Sequence, residues 1–164
     1  MDTGDTAWML VATALVMFMT PGLAFFYGGM VRAKNVLGML MQNFFALGLI
    51  AVLWALLGFT LVFGDFGNAG FIGNFEFFGL ADVTATPPDG IALTIPFVLF
   101  AAYQMTFAVI TPALITGATA DRLKFSAYAI FIGVWLILVY APIGHMVFGG
   151  GWLADLGALD FAGG

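Results

Sequence analysis

Tyr103, Phe107 and Thr111 recur at every fourth position inside an uninterrupted apolar run, IALTIPFVLFAAYQMTFAVITPALITGATA, from Ile91 to Ala120. On a helix this spacing makes a single stripe, with the two rings about one turn apart. Aromatic faces held away from water suit one chemistry, cation–π contact with a small cation shedding its hydration, worth about 2 kcal/mol when desolvated. The same spacing also serves plain packing between helices, and the residue types alone leave both readings open. The run carries no formal charge and is long enough to cross the hydrocarbon core of a bilayer. A polar stripe in such a span faces something other than lipid. Gln104 lies about 100° round the helix from Tyr103, which suits an amide that holds helices together.

Composition says what must position that stripe. The chain is 63% hydrophobic and 8% charged, against about a quarter charged in soluble domains. It reads as an all-α integral membrane protein embedded in the lipid bilayer. The sequence contains no cysteine, which excludes a disulfide framework and a thiolate metal site. The single histidine, His145, is too little for a metal site built on imidazoles. No nucleophile–base constellation falls in the spans, so neither an enzyme nor a cofactor is expected. The net charge of −5 and the lack of a clustered basic surface argue against nucleic acid as a partner. The first residues include Asp2 and Asp5, unlike the basic start of a cleaved signal peptide.

Four apolar runs are expected to span, at about 7–31, 36–63, 91–120 and 125–148, with a loop at 64–90. The first contains Pro21, which a span tolerates when neighbours satisfy the freed backbone groups. It closes with Phe26 and Tyr27, an aromatic pair suited to an interfacial belt, and with Gly28 and Gly29, which allow close helix approach. Arg32 and Lys34 follow the first run; Arg122 and Lys124 follow the third. In four antiparallel spans those connections share a side, and an excess of Lys and Arg marks it as cytoplasmic. The N-terminus and the acidic loop (Asp65, Glu76, Asp82, Asp89) then lie outside. The loop's FIGNFEFFGL segment is ring-rich and suited to the interface. His145, at the outer end of the fourth run, reads as a structural histidine with a satisfied hydrogen bond. Asp160, ahead of Phe161 and Ala162, reads as the N-cap of a further helix. The chain is therefore expected to hold four transmembrane helices plus the start of a fifth.

FYGGMVRAKN, YQMTFAVIT, GATADRLKFSA, YAPIGHMVFGGGW and GALDFAGG, taken in order and spacing, resemble the ammonium transporter (Amt/Rhesus) family, bacterial and archaeal Amt branch. The resemblance covers essentially the whole chain from Asp5, as the N-terminal portion, 1–164, of a transporter's membrane domain. It implies an eleven-helix fold with an inverted repeat, an outside N-terminus in the cell (inner) membrane, and a homotrimer with one pore per subunit. The implied substrate is ammonium or ammonia. The implied cytoplasmic partner is a PII-type regulator or a signalling domain, the latter making an ammonium sensor the alternative to a transporter. By the same resemblance Tyr103 belongs to the external recruitment site, Phe107 is the outer ring of a two-Phe gate, Asp160 helps to recruit or stabilise the cation, and Phe26 and Tyr27 line the cytoplasmic half of the pore. Phe148 stands where the family usually has Trp, as the third wall of the recruitment site. Phe is the weaker π partner and brings no N–H donor. The family's paired pore histidines correspond to positions beyond Gly164.

Overall fold

The computed structural model describes residues 1–67, 69–88, 91 and 93–161, and all regular structure among them is helical. We label the helices α1 (Thr3–Met30), α2 (Val36–Leu53, continued by Trp54–Gly58 and Phe59–Phe63), α3 (Phe97–Thr119), α4 (Phe125–Trp135, continued by Leu136–Tyr140 and Ala141–Phe148) and the short α5 (Trp152–Asp155). Four stretches are long and apolar enough to cross a membrane: Thr3–Met30, Ala33–Phe63, Phe97–Thr119 and Phe125–Asp155. The helix α2 is the hub, packed against α1, α3 and α4, and α1 also packs along α3.

The start of α1 is set by polar groups ahead of the apolar run. Asp2 is the N-cap, its Oδ1 accepting from the Asp5 N–H at 2.8 Å. The Asp2 N–H donates to the Thr94 carbonyl at 2.6 Å, which ties this helix end to the segment leading into α3. The cap carries the helix back to Thr3, ahead of Ala7. At the start of the third run, α3 begins at Phe97 although the apolar residues begin at Ile91, because Pro96 occupies its N-cap with extended backbone. The buried residues of α1 are Thr20, Ala24 and Gly28. They form a seam of small residues at every fourth position, the pattern by which membrane helices bring their backbones close. Much of the remaining surface of α1 is apolar and exposed, with Phe18 71% and Met30 70% exposed. In hydrocarbon such surface carries no hydration cost.

Two helices change pitch part-way along their length. Trp54–Gly58 in α2 and Leu136–Tyr140 in α4 are single wide π turns, a local insertion that shifts the following residues round the helix. At the first, Gly58 makes room for the Trp54 side chain. A Cβ on Gly58 would lie 2.7 Å from the indole. The buried indole N–H donates to the Ala101 carbonyl of α3 at 3.1 Å, and the ring meets Tyr140 of α4 edge-on at 6.3 Å. The two wide turns therefore face each other.

Beyond Gly58 the core is aromatic. Phe59 touches Phe63, Phe77 and Phe97 at ring separations of 5.2, 5.7 and 5.4 Å. Phe63 meets Phe100 at 4.9 Å. Each such pair adds about 0.5–1.5 kcal/mol beyond its area burial. The ring-rich loop segment divides between core and surface: Phe77 is buried in this cluster, whereas Phe71, Phe75 and Phe78 are exposed. Phe71 lies beside Trp152 of α5, the rings tilted at 52° with centroids 6.0 Å apart. Thr60 pins the loop to α2, its Oγ1 accepting from the Phe77 N–H at 2.9 Å and donating to the Asn74 carbonyl at 2.8 Å.

Thr60→Val keeps the shape and removes both bonds. It should destabilise the full-length protein by about 1–3 kcal/mol, since a buried N–H loses its acceptor. Hydrogen exchange at Phe77 should accelerate in step. Unchanged protection at Phe77 would mean the loop is held by its rings alone.

Candidate functional site

The helix α3 brings Tyr103 and Phe107 together. Their rings lie 5.0 Å apart at 79°, an edge-on pair. Both side chains are half-buried. Such a pair leaves at least one π face uncovered by its partner, and that face carries the negative quadrupole that attracts cations. The hydroxyls along this part of α3 are turned inward to the helix. Thr106 Oγ1 donates to the Tyr103 carbonyl at 2.6 Å and Thr111 Oγ1 to the Phe107 carbonyl at 2.7 Å. The surface beside the rings therefore carries few donors, which disfavours anions.

A cavity of about 400 Å³ borders Tyr103, between the first turns of α1 and the start of α3. Asp5, Trp8, Thr94, Phe100, Tyr103 and Gln104 line it. It combines one carboxylate with three aromatic rings, a set that suits a small cation better than a neutral or anionic ligand. The sequence reading did not place Asp5 and Trp8 beside Tyr103. The available signal was the acid in the first turn of α1, at the same end of the bundle as the acidic loop.

The other expected site residues are placed separately. Phe148 ends α4 and is half-buried, its ring 6.0 Å from Phe63. Among the described residues no ring contact joins Phe148 to Tyr103 or Phe107. Asp160 is exposed and lies within electrostatic reach of Tyr140. The helix that Asp160 was expected to cap falls on Ala162, Gly163 and Gly164, outside the described residues. Phe26 and Tyr27 touch at 5.9 Å and then diverge. Phe26 is 64% exposed, whereas Tyr27 lies against Gly117 of α3 and donates weakly to the Leu114 carbonyl at 3.4 Å. Tyr27 also lines a cavity of about 560 Å³ at the basic end of the bundle.

Two buried polar groups hold the scaffold around these side chains. His145 is 1% exposed, with Nδ1 2.8 Å from the Val62 carbonyl at the end of α2. A carbonyl only accepts, so Nδ1 carries the proton. Gly149 makes the approach possible, because a Cβ there would run into the same carbonyl. Near the opposite end, buried Asn43 of α2 donates from Nδ2 to Thr116 Oγ1 of α3 at 3.2 Å and to the Met39 carbonyl at 2.9 Å. Its place near the start of the second run was visible in the sequence; its partner on α3 was not.

Four apolar helices around an aromatic pair, with polar groups paired across the helix contacts, define a polytopic membrane protein. Residues 7–164 match a family model described as Ammonium Transporter Family, and the chain belongs to that family. It is 50% identical to an ammonium transporter of Bacillus subtilis (strain 168), across 100% of this chain and 40% of that one. The chain thus spans about two-fifths of the length of the curated relative it matches. Among solved structures it is similar to Candida albicans Mep2, with a TM-score of 0.88 and 38% identity over 99% of this chain and 35% of that one. It is also similar to a structure described as a sensor Amt protein, with a TM-score of 0.84 and 27% identity over 96% of this chain and 39% of that one. The four helices are part of the Amt fold.

His145→Leu should lower the melting temperature of the full-length protein, because it strands the buried Val62 carbonyl at a cost of about 1–3 kcal/mol. Its half-saturation for substrate should stay near that of the parent. A large change in half-saturation at unchanged stability would make His145 a ligand-binding group instead.

Proposed function

We propose that this chain is the N-terminal part of a transporter that recruits ammonium on aromatic faces and passes ammonia through an apolar pore. The observation that carries this reading is the 50% identity to a transporter named for ammonium, sustained along the whole chain. The open ring pair of Tyr103 and Phe107 supports it. In this reading Tyr103, Phe107 and Phe148 are walls of the recruitment site at the acidic end. Asp160 stabilises its mouth through the position of the chain that follows. Phe107 is the outer ring of a Phe gate, and Phe26 and Tyr27 line the basic half of the path.

The physical case rests on what distinguishes ammonium from potassium. The two ions are alike in size and hydration, so carbonyls alone discriminate poorly between them. Ammonium can give up a proton. Desolvation in an apolar site lowers the pKa of an amine cation, and the neutral molecule can then pass a hydrophobic constriction that bars metal ions. The four Lys and Arg residues, Arg32, Lys34, Arg122 and Lys124, put the basic end in the cytoplasm and the N-terminus outside, in the cell membrane. The assembly is a homotrimer, and a PII-type regulator docks on the cytoplasmic face. The chain acts by transport and is no enzyme.

A second reading, an ammonium sensor coupled to a signalling domain, draws on the likeness to a sensor Amt protein and on Phe148 at the usual Trp position. Full-length protein in liposomes separates the two. Ammonium-dependent current above that of empty vesicles is the transporter outcome. Ligand-dependent melting without current is the sensor outcome.

For the site itself, Phe148→Trp should tighten half-saturation several-fold and Tyr103→Leu should weaken it by a similar factor, from about 0.5–1 kcal/mol of cation–π energy in a wet vestibule. If neither substitution alters half-saturation, the rings are packing. For orientation, a cysteine introduced as Asp82→Cys should react with an impermeant thiol reagent added outside, and Lys34→Cys should not. The reverse labelling overturns the topology.

A further inference from the structure

The two connections at the basic end fold against each other. Asn35 precedes α2 at its N-cap position, yet its side chain makes no cap there. Its amide donates instead to Asp121 Oδ1 in the connection after α3. Arg32 Nε approaches the other Asp121 oxygen at 4.0 Å. Asp121 is therefore engaged from the side of the first connection. Lys124, at the N-cap of α4, gives that helix no side-chain cap either. The helix α4 thus starts here with an uncapped, partially positive N-terminus, while a 3-10 turn over Ala33–Asn35 leads into α2.

Between them is a cleft of about 330 Å³, with Lys34, Asn35, Gln42, Asp121, Arg122 and Lys124 in its wall. Among the described residues no carboxylate is within ion-pair distance of Lys34, Arg122 or Lys124. With one acid already engaged, the cleft keeps an excess of positive charge. Its floor supplies an independent observation. Gln42 is 8% exposed, lines the cleft, and its amide has no hydrogen-bond partner among the described residues. The amide atoms are not sealed within the protein, so what they can still meet is what enters the cleft. A ligand oxygen in the cleft would accept from that amide.

We propose that this cleft binds a phosphate ester, with Lys34, Arg122 and Lys124 neutralising its charge and the Gln42 amide donating to one of its oxygens. The uncapped N-terminus of α4 favours an anion at the same place. Two sources supply such a group: the headgroup of an anionic phospholipid in the adjoining leaflet, since basic pockets between membrane helices at this depth hold such headgroups, and a soluble phosphate ester. The site is separate from the aromatic pair and does not depend on what the protein transports.

The test uses full-length protein in neutral detergent, with melting temperature and native mass spectrometry as readouts. The probes are short-chain phosphatidylglycerol, short-chain phosphatidylcholine, glycerol 3-phosphate and inorganic phosphate. Phosphatidylglycerol should bind saturably and phosphatidylcholine should not. Lys34→Gln, Arg122→Gln and Lys124→Gln should each weaken binding roughly fivefold, from about 1 kcal/mol per basic residue near a membrane surface. Gln42→Leu should weaken it several-fold with no change in charge, and Gln42→Met repeats the test should the first variant fold poorly. Competition by glycerol 3-phosphate at comparable concentration identifies a soluble ester as the ligand; binding of the lipid alone identifies the headgroup. Either result upholds the site. Absence of saturable binding by any of the anions overturns it. Binding that tracks charge but ignores both Gln42 variants also overturns it, because attraction to the rim then accounts for the effect.

Discussion

The indole of Trp54 joins three of the four long helices at one point. It belongs to α2, donates to the Ala101 carbonyl of α3 at 3.1 Å and meets Tyr140 of α4 edge-on at 6.3 Å. At 1% exposure it has no access to water, and an unpaired N–H at that depth would cost several kcal/mol. The bond to Ala101 is therefore close to obligatory, and it sets both the depth and the rotation of α3 against α2. Tyr103 follows two positions later and Phe107 one turn beyond that, so the candidate site inherits its position from this contact. The two wide turns and Gly58 are the local backbone features that let the large ring lie flat between helices.

Polarity along the bundle is arranged in the same spirit. At the acidic end Asp2 caps α1 and holds the entry to α3, and Asp5 sits beside Trp8 and Tyr103. At the basic end Asn35, Arg32 and Asp121 tie the first connection to the third. Between the ends, polar side chains are few; the hydroxyls mostly bond within their own helix, and several other polar groups pair helices. Asn43 reaches Thr116, Tyr128 donates to the Pro112 carbonyl at 3.1 Å, and His145 reaches Val62. These bonds matter in a bilayer because hydrophobic burial alone drives helices together only weakly there.

The sequence was informative about which segments are helical and uninformative about which faces meet. Length and apolarity expose the four spans, and the Lys and Arg positions give their common ends. Face selection is another matter. A soluble helix is wet on one side, so its 3.6-residue period points to the core. Here both lipid and neighbouring helices are apolar, and Phe18 and Phe59 differ in burial without differing in type. The seam Thr20–Ala24–Gly28 is the exception, because small size rather than polarity marks it. Phe77 within a run of otherwise exposed loop rings, and the meeting of Phe148 with Phe63, depend on the wide turns that rotate the ends of α2 and α4. Nothing in local composition announces a π turn. The likeness of whole motifs to the Amt family supplied an expectation that physical periodicity could not, namely which rings would line a substrate path.

The wide turn in α2 has a consequence for how the chain tolerates change. Before it, Val36–Leu53 packs on α1, α3 and the first part of α4; after it, Phe59–Phe63 packs on Ala141–Phe148 and on the loop turn at Phe78–Leu80. One helix axis thus carries two faces in different phase, offset by one residue's worth of rotation, about 100°. Length at 54–58 is therefore a reading frame for everything downstream in that helix. Closing the turn to a regular spiral with the same number of residues would swing Phe59 and Phe63 out toward lipid, whereas removing one residue as it closes would leave both rings on their present face. The segment between Leu53 and Phe59 is thus the one place in this helix where the loss of a single residue leaves both faces in register, provided that the Trp54 contact is kept.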